Sequence, residues 1–166
     1  ARCSVNFQMG REKEYEIRPA MVKKKVMIVG GGPGGMEAAR VAALRGHEVE
    51  LYEKSNEIGG SLIVASEPEH KEEIRRLLAY FRNQMKKNNI RVHTGVDVDS
   101  ELIKDMNPDA LIVATGARPT IPPIPGINSK SVVIGEDVLM HKSNVGDKIV
   151  VAGGGCVGID IVLQLT

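Results

Sequence analysis

The chain has 166 residues, 42% of them apolar, enough to bury a domain-sized core and too many for a disordered tail. Lys and Arg number 22 against 21 Asp and Glu, so a net charge of +1 supplies no field to hold a nucleic-acid backbone or an anionic membrane. Two cysteines, Cys3 and Cys156, exclude a disulfide-rich scaffold and a CxxC redox centre, which disfavours disulfide-reductase chemistry.

No apolar run reaches transmembrane length and no signal-peptide stretch opens the chain, so a cytoplasmic setting is expected. The first residue is Ala and the apolar run Ile159–Leu165 stops without a cap, which suggests a piece cut from a longer protein. Glycine supplies 18 residues, well above its usual share of about 7%. Some backbone must therefore approach a neighbour or a ligand closely.

Residues 1–21 carry no helical or strand period and read as an extended lead-in. Lys23, Lys24 and Lys25 then precede Val26-Met27-Ile28-Val29, an apolar run of the kind buried on both faces of a parallel sheet. A loop, Gly30 to Gly35, opens an Ala-rich helix over Met36–Arg45 that Gly46 closes. His47–Glu53 alternates Val49 and Leu51 with Glu48 and Glu50 and predicts a second strand. Together these form one βαβ unit with a right-handed crossover.

A helix is predicted from about Pro68 to Lys87, because Ile74, Leu77, Leu78, Phe81 and Met85 share one face. Ser66-x-x-Glu69, with Pro68 inside it, supplies a start signal. The basic residues Arg75, Arg76, Arg82, Lys86 and Lys87 read as a solvated face. Short β-like pieces follow over Arg91–Val98, then a buried-type strand Ala110–Ala114 closed by Gly116. Pro119, Pro122, Pro123 and Pro125 cannot continue a central strand and form a stiff connection, which divides residues 22–118 from 119–166. Beyond it come a short strand at Ser131–Ile134, a helical turn at Glu136–His141 and a third buried strand, Lys148–Ala152. Gly153 to Gly158 then repeats the earlier glycine pattern 123 positions on. The fold class is α/β: a Rossmann-like domain with a parallel sheet, followed by the start of a second, truncated one.

In Gly30-Gly31-Gly32-Pro33-Gly34-Gly35 the first glycine allows the tight turn, the second lets a diphosphate approach the backbone, and the third lets helix and strand pack closely. The diphosphate meets the N–H groups and positive end of the following helix. Glu53, at the end of the second strand, is placed to accept hydrogen bonds from a ribose diol and to repel an added 2′-phosphate. The fingerprint alone leaves FAD and NAD(P) open. His47, His70, His93 and His141 lack metal-site spacing and read as structural or solvent-facing, and Cys156 as a small buried residue. No serine stands in a nucleophile elbow, and no catalytic acid or base is identified.

At Glu53-Lys54, Gly59-Gly60 and Ala114-Thr115-Gly116-Ala117-Arg118-Pro119 the sequence resembles the flavoprotein reductases with two dinucleotide domains. At Arg2-Cys3-Ser4-Val5-Asn6 and Gly10-Arg11-Glu12 the resemblance narrows to the 2,4-dienoyl-CoA reductase, 2-enoate reductase and trimethylamine dehydrogenase family. It implies that Gly30, Gly32, Pro33, Gly34, Gly35, Glu53, Lys54, Gly60, Val98, Ala114, Thr115 and Gly116 bind FAD, with Val98 in a short strand that pairs with adenine. By the same resemblance Gly153, Gly155 and Gly158 bind NAD(P)H, and Cys3 is the last ligand of a 4Fe-4S cluster. Such enzymes pass hydride from NAD(P)H to FAD and electrons through the cluster to FMN, which reduces an activated double bond; trimethylamine-dehydrogenase types run electrons outward. The implied partners are an FMN-bearing barrel and the remaining segments of the nicotinamide domain. A cubane needs about four thiolates, so no assembled cluster is expected in these residues, and alone they are expected to hold FAD weakly and to be inactive. Two other classes keep the same loops: a nucleotide sensor that binds ADP-ribose without flavin, and a scaffold whose glycines serve packing only.

Overall fold

The computed structural model describes Cys3, Asn6 and residues 8–166; Arg2, Ser4 and Val5 of the amino-terminal motif lie outside the described residues. Four parallel strands form one sheet: β1 (Lys25–Val29), β2 (Glu48–Glu53), β3 (Arg91–Thr94) and β4 (Ala110–Val113), in the order β3-β2-β1-β4. This is the Rossmann-like α/β architecture anticipated from the alternation of apolar runs and helices. Among the described residues no helix is long and apolar enough to cross a membrane.

Helix α1 (Pro33–Leu44) starts with Pro at its first position, where a missing N–H costs nothing. It ends in a Schellman turn: Gly46, at φ 88°, donates to Ala43 O, and His47 donates to Ala42 O. Its inner face, Met36, Ala39 and Ala42, packs on Val26, Ile28, Val49 and Leu51 of the sheet. Small side chains there let helix and sheet approach closely. Helix α2 (Ser61–Ser66) and helix α3 (Glu72–Lys87) complete this layer, with Leu78, Phe81 and Met85 buried in the same core and Ile74 and Leu77 half-buried.

Several expectations are corrected. Helix α2, which follows Gly59-Gly60 with Gly60 as its N-cap, was not anticipated from the sequence. Ser66 does not cap the long helix; its hydroxyl donates to Ile63 O within α2, and α3 starts after Lys71 with no side-chain cap. Helix α4 (Ser100–Met106), unread in the sequence, is capped by Asp99, whose carboxylate accepts from Glu101 and Leu102 N–H. β4 is not buried on both faces: it lies at the sheet edge, and Leu111, Ile112 and Val113 are exposed. Glu50 does not face water, as alternation implied. It is buried on the sheet face opposite α1, accepting from the Tyr52 hydroxyl at 3.1 Å, bonded to His93 at 2.9 Å and paired with Arg91 at 3.0 Å.

From the end of β4 into the proline segment, residues 114–124 have no regular structure. Helices α5 (Gly135–Leu139) and α6 (Cys156–Leu165) pack through Val138, Leu139 and Ile161, a small cluster separate from the main core that also takes up Val64 of α2. Neither Ser131–Ile134 nor Lys148–Ala152 forms a strand. A strand needs a partner for its ladder, and among the described residues none lies alongside; Val150 is left 94% exposed.

Leu51, fully buried between α1, α3 and the neighbouring strands, sets the stability of this core. Leu51→Ala is expected to cost about 2–5 kcal/mol, read as a lower midpoint in chemical unfolding. A loss below about 1 kcal/mol would show that the core collapses around the gap.

Candidate functional site

The first glycine loop sits at the carboxyl end of β1, where an open parallel sheet leaves its crevice. Gly30, at φ 110°, donates to Tyr52 O, and a Cβ there would overlap the Ala114 carbonyl. A Cβ on Gly35 would overlap the Gly30 carbonyl oxygen, so the third glycine is what allows α1 to start against the strand. By contrast, a Cβ on Gly32 or Gly34 would meet nothing within 4 Å. Gly30 and Gly35 are thus held against packed backbone and Gly31 against the side chains of Ile58 and Glu53, whereas Gly32 and Gly34 adjoin open space.

Gly32 is the N-cap of α1, at φ −74° and ψ −179°, and no side chain caps the helix. The first-turn N–H groups lack intrahelical acceptors by geometry. They stand at the positive end of a 12-residue helix. That combination is a ready seat for a diphosphate.

Glu53 closes one side. Its Oε2 accepts the Gly31 N–H at 2.7 Å and its Oε1 the Ser55 N–H at 2.8 Å, and the residue is buried. Burial pushes the carboxyl up, but the N–H groups of Ser55 and Gly31, with Lys54 adjacent, outweigh it and hold Glu53 below the usual carboxylate range. An ionised carboxylate has about four acceptor positions; two are used here, which leaves room for a diol. The opposite wall is Gly60, whose Cβ would lie 2.9 Å from Gly32 Cα.

Of the expected residues, Gly30, Gly32, Pro33, Gly34, Gly35, Glu53, Gly60, Ala114 and Thr115 come together around this loop. Lys54 is exposed on its flank, and Gly116 is exposed at φ 75° with open space around it. Val98 is half-buried and lies outside β3, which ends at Thr94, so the strand expected there is absent. Cys3 is half-buried, with its Sγ accepting the Asn6 N–H at 3.3 Å. Among the described residues no group of three or more potential ligands is placed to hold a metal.

The second loop copies the first. Gly153 has φ 129°, Gly155 caps α6 at φ −77° and ψ −179°, and a Cβ on Gly158 would overlap the Gly153 carbonyl oxygen. Ile159 donates to Gly155 O at 3.0 Å as Met36 donates to Gly32 O at 2.9 Å. A cavity of about 380 Å³ lies beside it, lined by Val151, Gly153, Gly154 and residues of α6. Cys156, read as buried, is exposed, because nothing covers the first turn of α6 among the described residues.

Sequence reasoning missed the groups behind the loop. Gly59 donates to Gly31 O at 2.8 Å. Arg82, placed on a solvated face, instead donates to Ile58 O, and Arg75 to the carbonyls of Ser66, Pro68 and Glu69. Their positions beside the α3 stripe were visible in the sequence; the carbonyls they serve, in loops, were not. The histidines make structural bonds: His47 accepts the Lys24 N–H, His70 pairs with Asp160, His93 with Glu50, and His141 meets Gln164.

The family model described as pyridine nucleotide-disulphide oxidoreductase matches residues 24–166. The chain is 45% identical over 158 residues to the bilirubin reductase of Mediterraneibacter gnavus, covering 95% of this chain and 25% of that protein. It is 42% identical over 163 residues to the cinnamate reductase of Clostridium sporogenes, covering 98% and 24% respectively. Its structure matches 2-naphthoyl-CoA reductase with a TM-score of 0.93 at 38% identity, over 98% of this chain and 25% of that one. The chain thus spans about a quarter of the length of these relatives, and they are reductases of the kind its motifs resemble. With the model matched from Lys24 to Thr166 and both glycine loops built alike, the chain belongs to the pyridine nucleotide-disulphide oxidoreductase family.

Proposed function

We propose that these residues form the FAD- and NAD(P)H-binding electron-transfer module of a longer flavin oxidoreductase. The observation that carries this reading is the pair of loops with one backbone geometry, at Gly30–Gly35 and Gly153–Gly158, the first with the Glu53 carboxylate at its edge. The first loop would seat the FAD diphosphate on the first-turn N–H groups of α1, with the adenosine ribose on the two unused acceptor positions of Glu53. Gly60, Ala114, Thr115 and Gly116 would border the cofactor's course, with Lys54 and Val98 towards its adenosine end. The second loop would seat the nicotinamide dinucleotide at Gly153, Gly155 and Gly158. On this reading residues 22–118 are the flavin domain and 119–166 part of the nicotinamide domain, which the two separate apolar clusters support.

Bound together, the two cofactors would supply hydride transfer from NAD(P)H to FAD, and in the longer protein a 4Fe-4S cluster and FMN would supply the onward electron transfer for reduction of an activated carbon–carbon double bond. This chain's share is to hold the diphosphates, orient the ribose and place its sheet end beneath them. Two cysteines cannot build a four-thiolate cluster, so Cys3 would contribute one ligand beside others outside these residues. Relatives named for cinnamate and 2-naphthoyl-CoA support an unsaturated carboxylate or its thioester as the substrate class.

Two experiments on the full-length oxidoreductase test this. Gly32→Ala meets no neighbour and a φ that any residue adopts. It should therefore leave the thermal stability of the deflavinated protein unchanged while weakening FAD binding roughly tenfold or more, since the added methyl stands where the diphosphate approaches. FAD released on denaturation and separated from FMN reads the outcome; full FAD retention would refute the assignment, and ADP-ribose binding by the parent protein without any flavin would favour the sensor.

Glu53→Gln should lower stability at pH 7 by about 1–3 kcal/mol by removing the charge from two hydrogen bonds. Because Glu53 titrates below its ordinary value of 4.5 when folded, its contribution is complete above pH 4.5 and fades as the pH falls through the folded value. Melting curves of wild type and variant should accordingly converge in acid. A gap that stays constant from neutral to acid pH would show that the charge plays no part.

A further inference from the structure

Helix α3 reaches the first glycine loop through one side chain. Arg82 lies beside the buried stripe of Leu78, Phe81 and Met85. Its Nε and Nη2 donate to Ile58 O at 3.1 and 2.8 Å, and Nη2 also pairs with Glu57 Oε2 at 2.6 Å. The peptide joining Ile58 to Gly59 is thus held by its oxygen. Its other end is the Gly59 N–H, which donates to Gly31 O at 2.8 Å, and the Gly31 N–H donates in turn to Glu53 at 2.7 Å. A line of hydrogen bonds runs from the guanidinium through one peptide to Gly31 and on to the carboxylate.

The segment so held is inherently loose. Gly59 and Gly60 have φ of 146° and 53°, and two consecutive glycines leave much backbone freedom to be lost on ordering. It is also the far wall of the loop: Ile58 Cγ2 would lie 2.7 Å from a Cβ on Gly31, and Gly60 packs on Gly32 Cα. A cationic fork on the Ile58 carbonyl polarises the peptide and strengthens the bond its N–H makes.

We propose that Arg82 is a positioning residue of the first dinucleotide site: through the Ile58–Gly59 peptide it fixes the 54–60 segment on Gly31 and preorganises the loop that receives the diphosphate. This rests on the reading that the loop binds FAD. Arg75 supplies the contrast. It lies on the same helix and holds three carbonyls, at 2.6, 2.9 and 2.6 Å, but these belong to Ser66, Pro68 and Glu69 at the far end of α2.

The test is titration of the deflavinated full-length protein with FAD and with ADP-ribose, well below the unfolding temperature, alongside melting curves. Arg82→Met should raise both dissociation constants roughly tenfold, as expected for losing a charge-assisted tether. Arg82→Lys, a point charge without the fork, should fall between it and wild type. Arg75→Met should lower the melting temperature while changing neither constant by more than about twofold. Wild-type affinity in Arg82→Met, or equal weakening in the Arg75 and Arg82 variants, would overturn the proposal and leave Arg82 a simple staple. Should Arg82→Met fail to fold, Glu57→Gln, which removes the exposed partner of Arg82, and Arg82→Lys carry the test, and unchanged constants in both overturn it. A wild-type protein that binds neither probe instead overturns the functional reading; one that binds ADP-ribose alone overturns only its flavin part and leaves Arg82 measurable.

Discussion

The carbonyl oxygen of Gly30 occupies the space that a side chain on residue 35 would need. Every other feature of the site follows from that contact. It lets α1 begin directly against the end of β1, so the helix's uncapped first turn opens at the carboxyl edge of the sheet and not some residues away from it. The same turn brings Gly30 under the carbonyl of Ala114, tying the end of β4 to the loop. A helix start held this tightly cannot retreat from an anion, and its N–H groups need no rearrangement to meet one.

Two buried carboxylates on β2 show how the sheet accommodates charge. Glu50 faces away from α1 and is neutralised within the sheet, by Arg91 and by bonds to His93 and Tyr52, whose rings stack at 4.5 Å. Burial and the neighbouring carboxylate push the Tyr52 hydroxyl up to about 12, so at ordinary pH it remains a donor to Glu50. Glu53, three residues on, finds no cation in direct contact and relies on two backbone N–H groups. The first arrangement leaves little unsatisfied; the second leaves acceptor positions of Glu53 unused among the described residues. Burial alone therefore does not distinguish the two carboxylates, but the nature of their partners does.

Elements whose cause is local were legible. The apolar run of β1, the Gly-rich turn, the Ala-rich α1 closed by Gly46 and the stripe of Leu78, Phe81 and Met85 on α3 all declare themselves over a few residues. Elements decided by distant neighbours were not. Ala110–Val113 has the composition of a central strand, yet among the described residues it takes the sheet edge with β1 as its neighbour. Lys148–Ala152 has the same composition and forms no strand, having no partner among the described residues. Glu50 obeys the alternation of a half-exposed strand, but Arg91 and His93 arrive on β3 to bury it. In the same way Arg82 looked solvated because its partner is a main-chain carbonyl more than twenty positions away, and carbonyls carry no sequence signal.

The second loop separates what is local from what is not. Gly153 to Gly158 reproduces the φ of the first glycine, the N-cap geometry of the third residue and the blocked position of the last, although no strand leads into it. The anion-facing turn is therefore a property of its own six residues and of the helix they open. Among the described residues it has less of a frame: Cβ atoms on Gly153 and Gly154 would meet open space, whereas in the first loop Ala114, Glu53 and Ile58 crowd the equivalent Gly30 and Gly31. On the proposed reading diphosphate recognition is encoded in the turn, while the choice of dinucleotide lies in the walls that strands and neighbouring loops bring up to it. Those walls, being assembled from separate parts of the chain, are where one fold can be set to different cofactors without changing its glycines.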